Sequence, residues 1–176
     1  HRDLHSFPTR RSSDLAVLSF AKSTASAVRG RGPSAVDGRL VEAMGIFEAL
    51  DLVGVGYVVD PNSSFAELSR TATAVDLVQF PRETLDYRAG DCDDLTVLYA
   101  ALLESVGIES AFITVPGHIL PAFAVGVAPE EIARAFASAG EVVVAEGRVW
   151  IPVEATARHQ GFMESWRLGA RAWRDA

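Results

Sequence analysis

The chain lacks the residues that build several common kinds of site. One cysteine among 176 residues excludes an internal disulfide and a zinc site made of several cysteines. No apolar run reaches the roughly 18 residues of a membrane-spanning helix, so we expect no membrane span. The formal net charge is -7 and no basic patch contains interleaved aromatic residues, so we expect no nucleic-acid partner.

The composition that remains is typical of one folded domain. Hydrophobic residues make up 49% of the chain and charged residues 22%, and a chain of this length can bury a sizeable core. The single cysteine does not identify the cellular compartment, because exported proteins can also lack disulfides. We therefore assign no localisation.

The first fifteen residues differ from the rest of the chain. The segment 1–15, HRDLHSFPTRRSSDL, has neither helical nor strand periodicity, and its last ten residues resemble the translation of a sequencing-adapter oligonucleotide. We expect 1–15 to be a non-native tail outside the fold, with an ordinary basic tail as the alternative. Segment 16–35, which ends in a Gly-rich breaker, is then a linker or the end of a missing upstream region, and 36–176 is the domain.

Hydrophobic periodicity predicts a mixed α+β domain. Helical spacing indicates helices over 36–53, 65–78, 92–106, 129–138 and 162–173, with weaker helical character over 16–28. Short apolar runs indicate strands over 111–115, 118–127, 142–145 and 149–153. The helix over 92–106 has the clearest limits, because Asp91 is a good N-cap and Gly107 a good C-cap.

The single cysteine begins this helix. A thiol at a helix N-terminus faces free backbone N–H groups and the positive end of the helix dipole, which both favour the thiolate. A nucleophilic thiolate needs a base that takes its proton and a third group that orients the base. His118, at the start of one predicted strand, and Glu154, at the end of another, are candidates for these roles beside Cys92.

Three stretches of the chain resemble the transglutaminase-like superfamily. They are Gly90-Asp91-Cys92-Asp93-Asp94 with the helix that follows, Pro116-Gly117-His118, and Trp150-Ile151-Pro152-Val153-Glu154-Ala155-Thr156. The resemblance covers about Val36 to Thr156. It implies a papain-like α+β fold, in which a central helix carrying Cys92 packs on an antiparallel sheet carrying His118 and Glu154.

The resemblance also implies thiol chemistry on amide bonds. Cys92 would attack the carbonyl, His118 would act as base and then as acid, and Glu154 would orient His118. The expected function is cysteine-dependent amide-bond hydrolysis of a protein or peptide. Transglutaminase or deamidase acyl transfer is an alternative, and so is a catalytically silent protein-binding module within a larger chain.

Two features differ from the family pattern. The third residue is usually Asp, whereas Glu154 has one more methylene and needs a slightly different backbone position. The connection between His118 and Glu154 is also long, because 129–145 adds an apparent helix and a strand. This insertion could cover the cleft and shape substrate access.

The resemblance suggests one further catalytic residue. Papain-like enzymes stabilise the oxyanion with a side-chain donor upstream of the cysteine, together with the backbone N–H of the cysteine. Gln79 is the expected donor here, with Tyr87 as the second candidate and an ordinary surface glutamine as the alternative interpretation.

The carboxylates around Cys92 oppose ionisation of its thiol by like-charge repulsion. One solution is that Asp91 and Asp94 bind backbone N–H groups of the first helical turn. Another is a bound cation, since some bacterial relatives use calcium held by acids that flank the cysteine. Asp91 and Asp93 would then be the calcium ligands, and no other cofactor is expected.

Overall fold

The structure is a computed structural model that describes residues 3–6, 14–59 and 78–176. These residues form helices and two sheets. They form a mixed α+β fold whose larger sheet is entirely antiparallel. The predicted fold class is therefore confirmed at this level.

The first half of the fold supplies three longer helices, a short one and three strands. In chain order these are β1 (Asp3–Ser6), α1 (Leu15–Val28), α2 (Gly38–Leu52), β2 (Gly56–Tyr57), α3 (Pro81–Tyr87), β3 (Ala89–Gly90) and α4 (Cys92–Ser105). Helix α4 lies within the predicted limits because Asp91 caps its N-terminus and Gly107 follows its C-terminal end. Helix α3 begins with Pro81, which lacks the N–H that a first helical residue leaves unpaired.

The second half supplies four strands, a single-turn helix and the terminal helix. In chain order these are β4 (Ser110–Val115), β5 (His118–Val125), α5 (Ile132–Ala135), β6 (Val143–Ala145), β7 (Arg148–Pro152) and α6 (Phe162–Asp175), with 3-10 turns at Pro129–Glu131, Ala139–Glu141 and Ala155–Gln160. The predicted helix over 129–138 is thus only a 3-10 turn followed by one turn of α-helix. The other predicted elements that fall within the described residues end within a few residues of their predicted limits.

The larger sheet has the strand order β1-β4-β5-β7-β6. Strands β4 and β5 form a hairpin in which Val115 pairs with His118. Strand β7 then pairs with β5, and the register places Ala122 opposite Pro152. A second sheet consists of β2 and β3 in parallel, with Tyr57 opposite Gly90.

Helix α4 lies at the centre of the main hydrophobic core. Its buried Leu98, Tyr99 and Leu102 belong to one cluster with residues of α2, the inner face of β5 and β7, and α6. Tyr99 satisfies its buried hydroxyl by donating to the Ala43 carbonyl over 2.9 Å. This packing holds the N-terminus of α4, and hence Cys92, in place relative to the sheet.

The structure differs from the expectation for the segment 16–35. Helix α1 contributes to the main core instead of acting as a linker, since Val17 and Ala21 are fully buried and Ala25 nearly so. These residues recur every fourth position and therefore share one helix face. Their small size allows a helix with weak amphipathic patterning to pack closely against α2.

The segment 1–15 also differs in part from its expected exclusion. Residues Asp3–Ser6 pair antiparallel with β4 as the outermost strand, and Leu4 packs against the second hydrophobic cluster. An edge strand can be held by backbone hydrogen bonds alone, so it needs no clear side-chain periodicity. The non-native origin of this segment stays a prediction. The rest of the adapter-like stretch, 7–13, and nearly all of the predicted helices over 65–78 lie outside the described residues.

None of the helices within the described residues is long and apolar enough to cross a membrane.

Candidate active site

The cysteine lies at the first residue of α4, held by a reciprocal cap. The Asp94 N–H donates to Asp91 Oδ1 and the Asp91 N–H donates to Asp94 Oδ2, each over 3.2 Å. Gly90 permits this geometry because a Cβ there would lie 2.6 Å from Asp94 Cβ. Cys92 itself is only 9% exposed. The Gly-Asp-Cys-Asp-Asp motif therefore builds a rigid helix start that presents a nearly buried thiol.

The histidine begins β5 directly after a tight turn. Gly117 has a positive φ of 73°, which fits a two-residue Pro-Gly connection between β4 and β5. One residue further along, the Ile119 carbonyl accepts a 3.5 Å hydrogen bond from Thr96 Oγ1 in the second turn of α4. This contact ties the start of the His118 strand to the helix that carries Cys92.

Glu154 follows β7 and caps the 3-10 turn Ala155–Gln160. The Val153 N–H donates to the Pro121 carbonyl of β5 over 2.9 Å, but the Glu154 N–H donates to the Ser165 carbonyl of α6 over 2.8 Å, so the chain turns from β5 toward α6 at Glu154. Its Oε1 accepts from Thr156 N–H over 3.1 Å and from Thr156 Oγ1 over 2.6 Å. Thr156 thus holds one carboxylate oxygen and leaves the other free to bind the imidazole.

The imidazole of His118 connects the acid to the thiol. His118 Nε2 lies 2.7 Å from Glu154 Oε2, and the two side chains are 27% and 13% exposed. Burial by itself would lower the pKa of His118, but hydrogen bonding and charge interaction with Cys92 and Glu154 outweigh burial. Together they raise this pKa from 6.5 to about 10. The site therefore favours an imidazolium between two acidic partners.

The carboxyl of Glu154 responds in the complementary direction. Burial opposes its ionisation, yet the hydrogen bond and charge of His118 and the two hydrogen bonds from Thr156 lower its pKa below 4.5. Between these two pKa values Glu154 is a carboxylate while His118 is an imidazolium. The two residues form an ion pair through Nε2 of the imidazole.

Two of the three carboxylates beside the thiol accept hydrogen bonds from backbone N–H groups. Asp91 and Asp94 cap each other as described, which matches the first of the two solutions expected from the sequence. Asp93 is buried, and its Oδ1 lies 3.9 Å from the Cys92 sulfur. Within the described ranges, no group of three or more His, Cys, Asp or Glu side chains could hold a metal ion. The calcium site at Asp91 and Asp93 stays a prediction.

Gln79 lies near the helix start, but its amide is occupied. The Gln79 side chain donates to Asp94 Oδ2 over 2.5 Å and to the Ala89 carbonyl over 3.4 Å, and its backbone N–H donates to Asp94 Oδ1 over 2.7 Å. Both N–H bonds of the amide are thus used to anchor the segment before α3. The role of Gln79 as oxyanion donor stays a prediction, and so does that of Tyr87, which ends α3 as an exposed residue.

Two residues near the site were missed by the sequence analysis. Tyr57 is 45% exposed and lies opposite Gly90 in the β2–β3 pair. Burial and the negative charges of Cys92, Asp91, Glu154 and Asp93 raise its pKa above 10.0. Arg158 is buried in the turn that follows Glu154. Neither lies in a recognisable motif, and only the strand-like run before Asp60 could have drawn attention to Tyr57.

The insertion 129–145 lies elsewhere than expected. Its residues Phe136 and Glu141, together with Leu40 of α2 and Trp166 of α6, line a cavity of about 810 Å³. Val125, at the far end of β5, also lines this cavity, about 23 Å along the strand from His118. The described insertion thus borders a cavity remote from Cys92 and does not cover the cleft.

Comparisons of this chain with family models, with curated proteins and with solved structures found no match.

Proposed function

We propose that this chain is a cysteine-dependent amide-bond hydrolase of the transglutaminase-like kind, with a papain-like arrangement and a protein or peptide substrate. One observation carries the proposal: His118 binds Glu154 Oε2 over 2.7 Å and interacts with the Cys92 thiol, although the three residues come from separate elements. A nucleophile, a base and an orienting acid in this order are what acyl transfer from an amide requires.

The first half-reaction uses the imidazolium and the helix start. The Cys92 thiolate attacks the amide carbonyl carbon, and the carbonyl electron pair moves to oxygen. The backbone N–H of Cys92 has no acceptor within its own helix, so it can stabilise this oxyanion. His118 then gives its proton to the departing nitrogen, the C–N bond breaks, and a thioester and a free amine result.

The second half-reaction restores the thiol pair. Water attacks the thioester carbonyl while neutral His118 takes a proton from that water. The tetrahedral intermediate collapses, the carboxylic acid leaves, and Cys92 departs as a thiolate beside the regenerated imidazolium. Glu154 stays ionised throughout and keeps the ring in the orientation that both proton transfers need.

The replacement of the usual Asp by Glu is compatible with this scheme. Glu154 lies beyond the end of β7, where its N–H donates to the Ser165 carbonyl of α6, and its carboxylate reaches His118 Nε2 over 2.7 Å. Thr156 restrains the longer side chain through two hydrogen bonds. The longer acid is thus matched by its own anchor.

Alkylation of the single cysteine tests the proposed activation. Intact-mass spectrometry after treatment with iodoacetamide reports Cys92 alone, and the small reagent suits a thiol that is 9% exposed. We expect labelling at about pH 6, where a free thiol with a pKa of about 8.5 is almost fully protonated. His118→Asn, which keeps a polar side chain without the charge, should label about tenfold more slowly there.

Turnover requires a second measurement. Fluorescent casein and a peptide mixture analysed for new termini report hydrolysis, whereas incorporation of a biotinylated amine reports acyl transfer to an amine. Cys92→Ala should abolish either activity. Equal labelling of the wild type and His118→Asn at all pH values would contradict the activated thiol. An activated thiol without any turnover would contradict the hydrolase and favour a silent module.

A further inference from the structure

Arg158 is a buried cation that joins two parts of the candidate site. Its side chain lies in the turn that Glu154 caps, and the residue is only 4% exposed. The guanidinium donates from Nη1 to the Ala155 carbonyl over 3.3 Å and from Nη2 to the Val55 carbonyl. Ala155 directly follows Glu154, and Val55 directly precedes β2. The guanidinium therefore bridges the acid-bearing turn and the second sheet.

The second sheet leads straight to the nucleophile. The Gly56 N–H donates to the Arg88 carbonyl and the Val58 N–H donates to the Gly90 carbonyl, each over 2.9 Å. Two residues after Gly90 the chain reaches Cys92. The contact of Arg158 with Val55 thus connects Glu154 to Cys92 by a route that does not pass through β5 and His118.

We propose that Arg158 is a positioning residue, which holds the Glu154 turn against β2 and so sets the separation between the Cys92 thiol and the His118–Glu154 pair. This inference rests on the proposed function, because a separation between these groups matters only if they react together. Two independent connections then define the site: the Thr96 contact with β5 on one side, and the Arg158 bridge on the other.

The cost of burying Arg158 supports a positional role over a stabilising one. Burial lowers its pKa from 12.5, and the charge of Asp51 only partly compensates. Among the described residues no acceptor is paired with its Nε. A buried charge of this kind is often neutral or unfavourable for stability when compared with an apolar side chain of similar volume. Its directed donors, in contrast, determine which two carbonyls are brought together.

Two substitutions of Arg158 separate the effect of its hydrogen bonds from the effects of its charge and of overall stability. Arg158→Met keeps much of the volume and removes both donors. Arg158→Lys keeps the positive charge, but its single nitrogen cannot bridge two carbonyls as a planar fork does. Arg82→Met is the matched control, because it removes an exposed cation on α3 that pairs with Asp86 within its own helix.

The readouts are the pH profile of Cys92 alkylation and the ratio of kcat to KM in hydrolysis. We expect Arg158→Met to label about tenfold more slowly at about pH 6, with its profile displaced toward that of a free thiol, while the urea midpoint of unfolding changes little. Arg158→Lys should fall between the wild type and Arg158→Met, and Arg82→Met should match the wild type. If activity is measured, kcat should fall more than KM rises.

Each outcome is informative. Wild-type alkylation profiles in both Arg158→Met and Arg158→Lys would overturn the inference while leaving an activated wild-type thiol, and hence the proposed function, intact. A wild-type thiol without activation would instead overturn the proposed function. If Arg158→Met does not fold, Arg158→Lys alone decides: an unchanged profile refutes the positioning role, and a displaced profile at a retained urea midpoint supports it.

Discussion

The His118–Glu154 ion pair should control both the titration of His118 and the pH dependence of stability. Glu154→Gln removes one negative charge, keeps the length of the side chain and keeps an oxygen that can accept from Thr156. An opposite charge at hydrogen-bond distance typically moves a pKa by about one to three units. We therefore expect the pKa of His118 to fall from about 10 by this amount, which corresponds to about 1.4–4 kcal/mol.

The sign of the stability effect follows from both partners. The folded-state pKa of His118 is above 6.5, so its contribution is complete below about pH 6.5 and is lost as the pH rises through about 10. The pKa of Glu154 is below 4.5, so its contribution is present above about pH 4.5 and is lost as the pH falls through the folded-state value. Glu154→Gln should therefore destabilise the fold most between about pH 4.5 and 6.5.

Histidine NMR and urea denaturation measure the two effects. The chain has four histidines, and His118→Asn identifies the resonance of interest. Glu104→Gln is the control, because Glu104 also binds N–H and hydroxyl donors, both from Ser110, but not a histidine. A His118 pKa that is unchanged in Glu154→Gln, or a loss of unfolding free energy that is the same at every pH, would refute the reasoning.

Two further predictions concern the scaffold that holds the site. Gly169→Ala should lower the free energy of unfolding by about 1–3 kcal/mol, because its Cβ would lie 2.7 Å from the Pro152 backbone at the end of β7. Gly38→Ala is the control and should not destabilise the fold, because its Cβ would meet nothing within 4 Å. Equal thermal midpoints of the two variants would contradict the close packing of α6. Tyr99→Phe should cost about 1–2 kcal/mol in urea denaturation, since it leaves the buried Ala43 carbonyl without its donor, and an unchanged midpoint would count against this bond.

Much of the local structure could be predicted from residues that are neighbours in the chain. Periodic apolar residues with Asp91 as cap predict α4, and the Pro116-Gly117 turn predicts the hairpin that begins β5 at His118. The same local signals identify Cys92 as the first residue of its helix. Such predictions succeed because caps, turns and periodicity depend on side chains only a few positions apart.

Contacts between distant parts of the chain could not be predicted in this way. Arg158 reaches the Val55 carbonyl 103 positions earlier, and Asp94 binds Gln79 15 positions earlier. Neither contact leaves a periodic or compositional signal, because each depends on how separate elements meet. For this reason the hydrogen bonds of the Gln79 amide with Asp94 and the Ala89 carbonyl could be found only in the folded chain.

The amino-acid sequence by itself determined the α+β class, the helix start that exposes a thiol to backbone N–H groups, and the candidates Cys92, His118 and Glu154. Tertiary structure alone decided that His118 and Glu154 meet at 2.7 Å, that α1 joins the core and that the insertion 129–145 borders a remote cavity. The physical reason is that local preferences select elements and their ends, whereas burial and register select which ends come together.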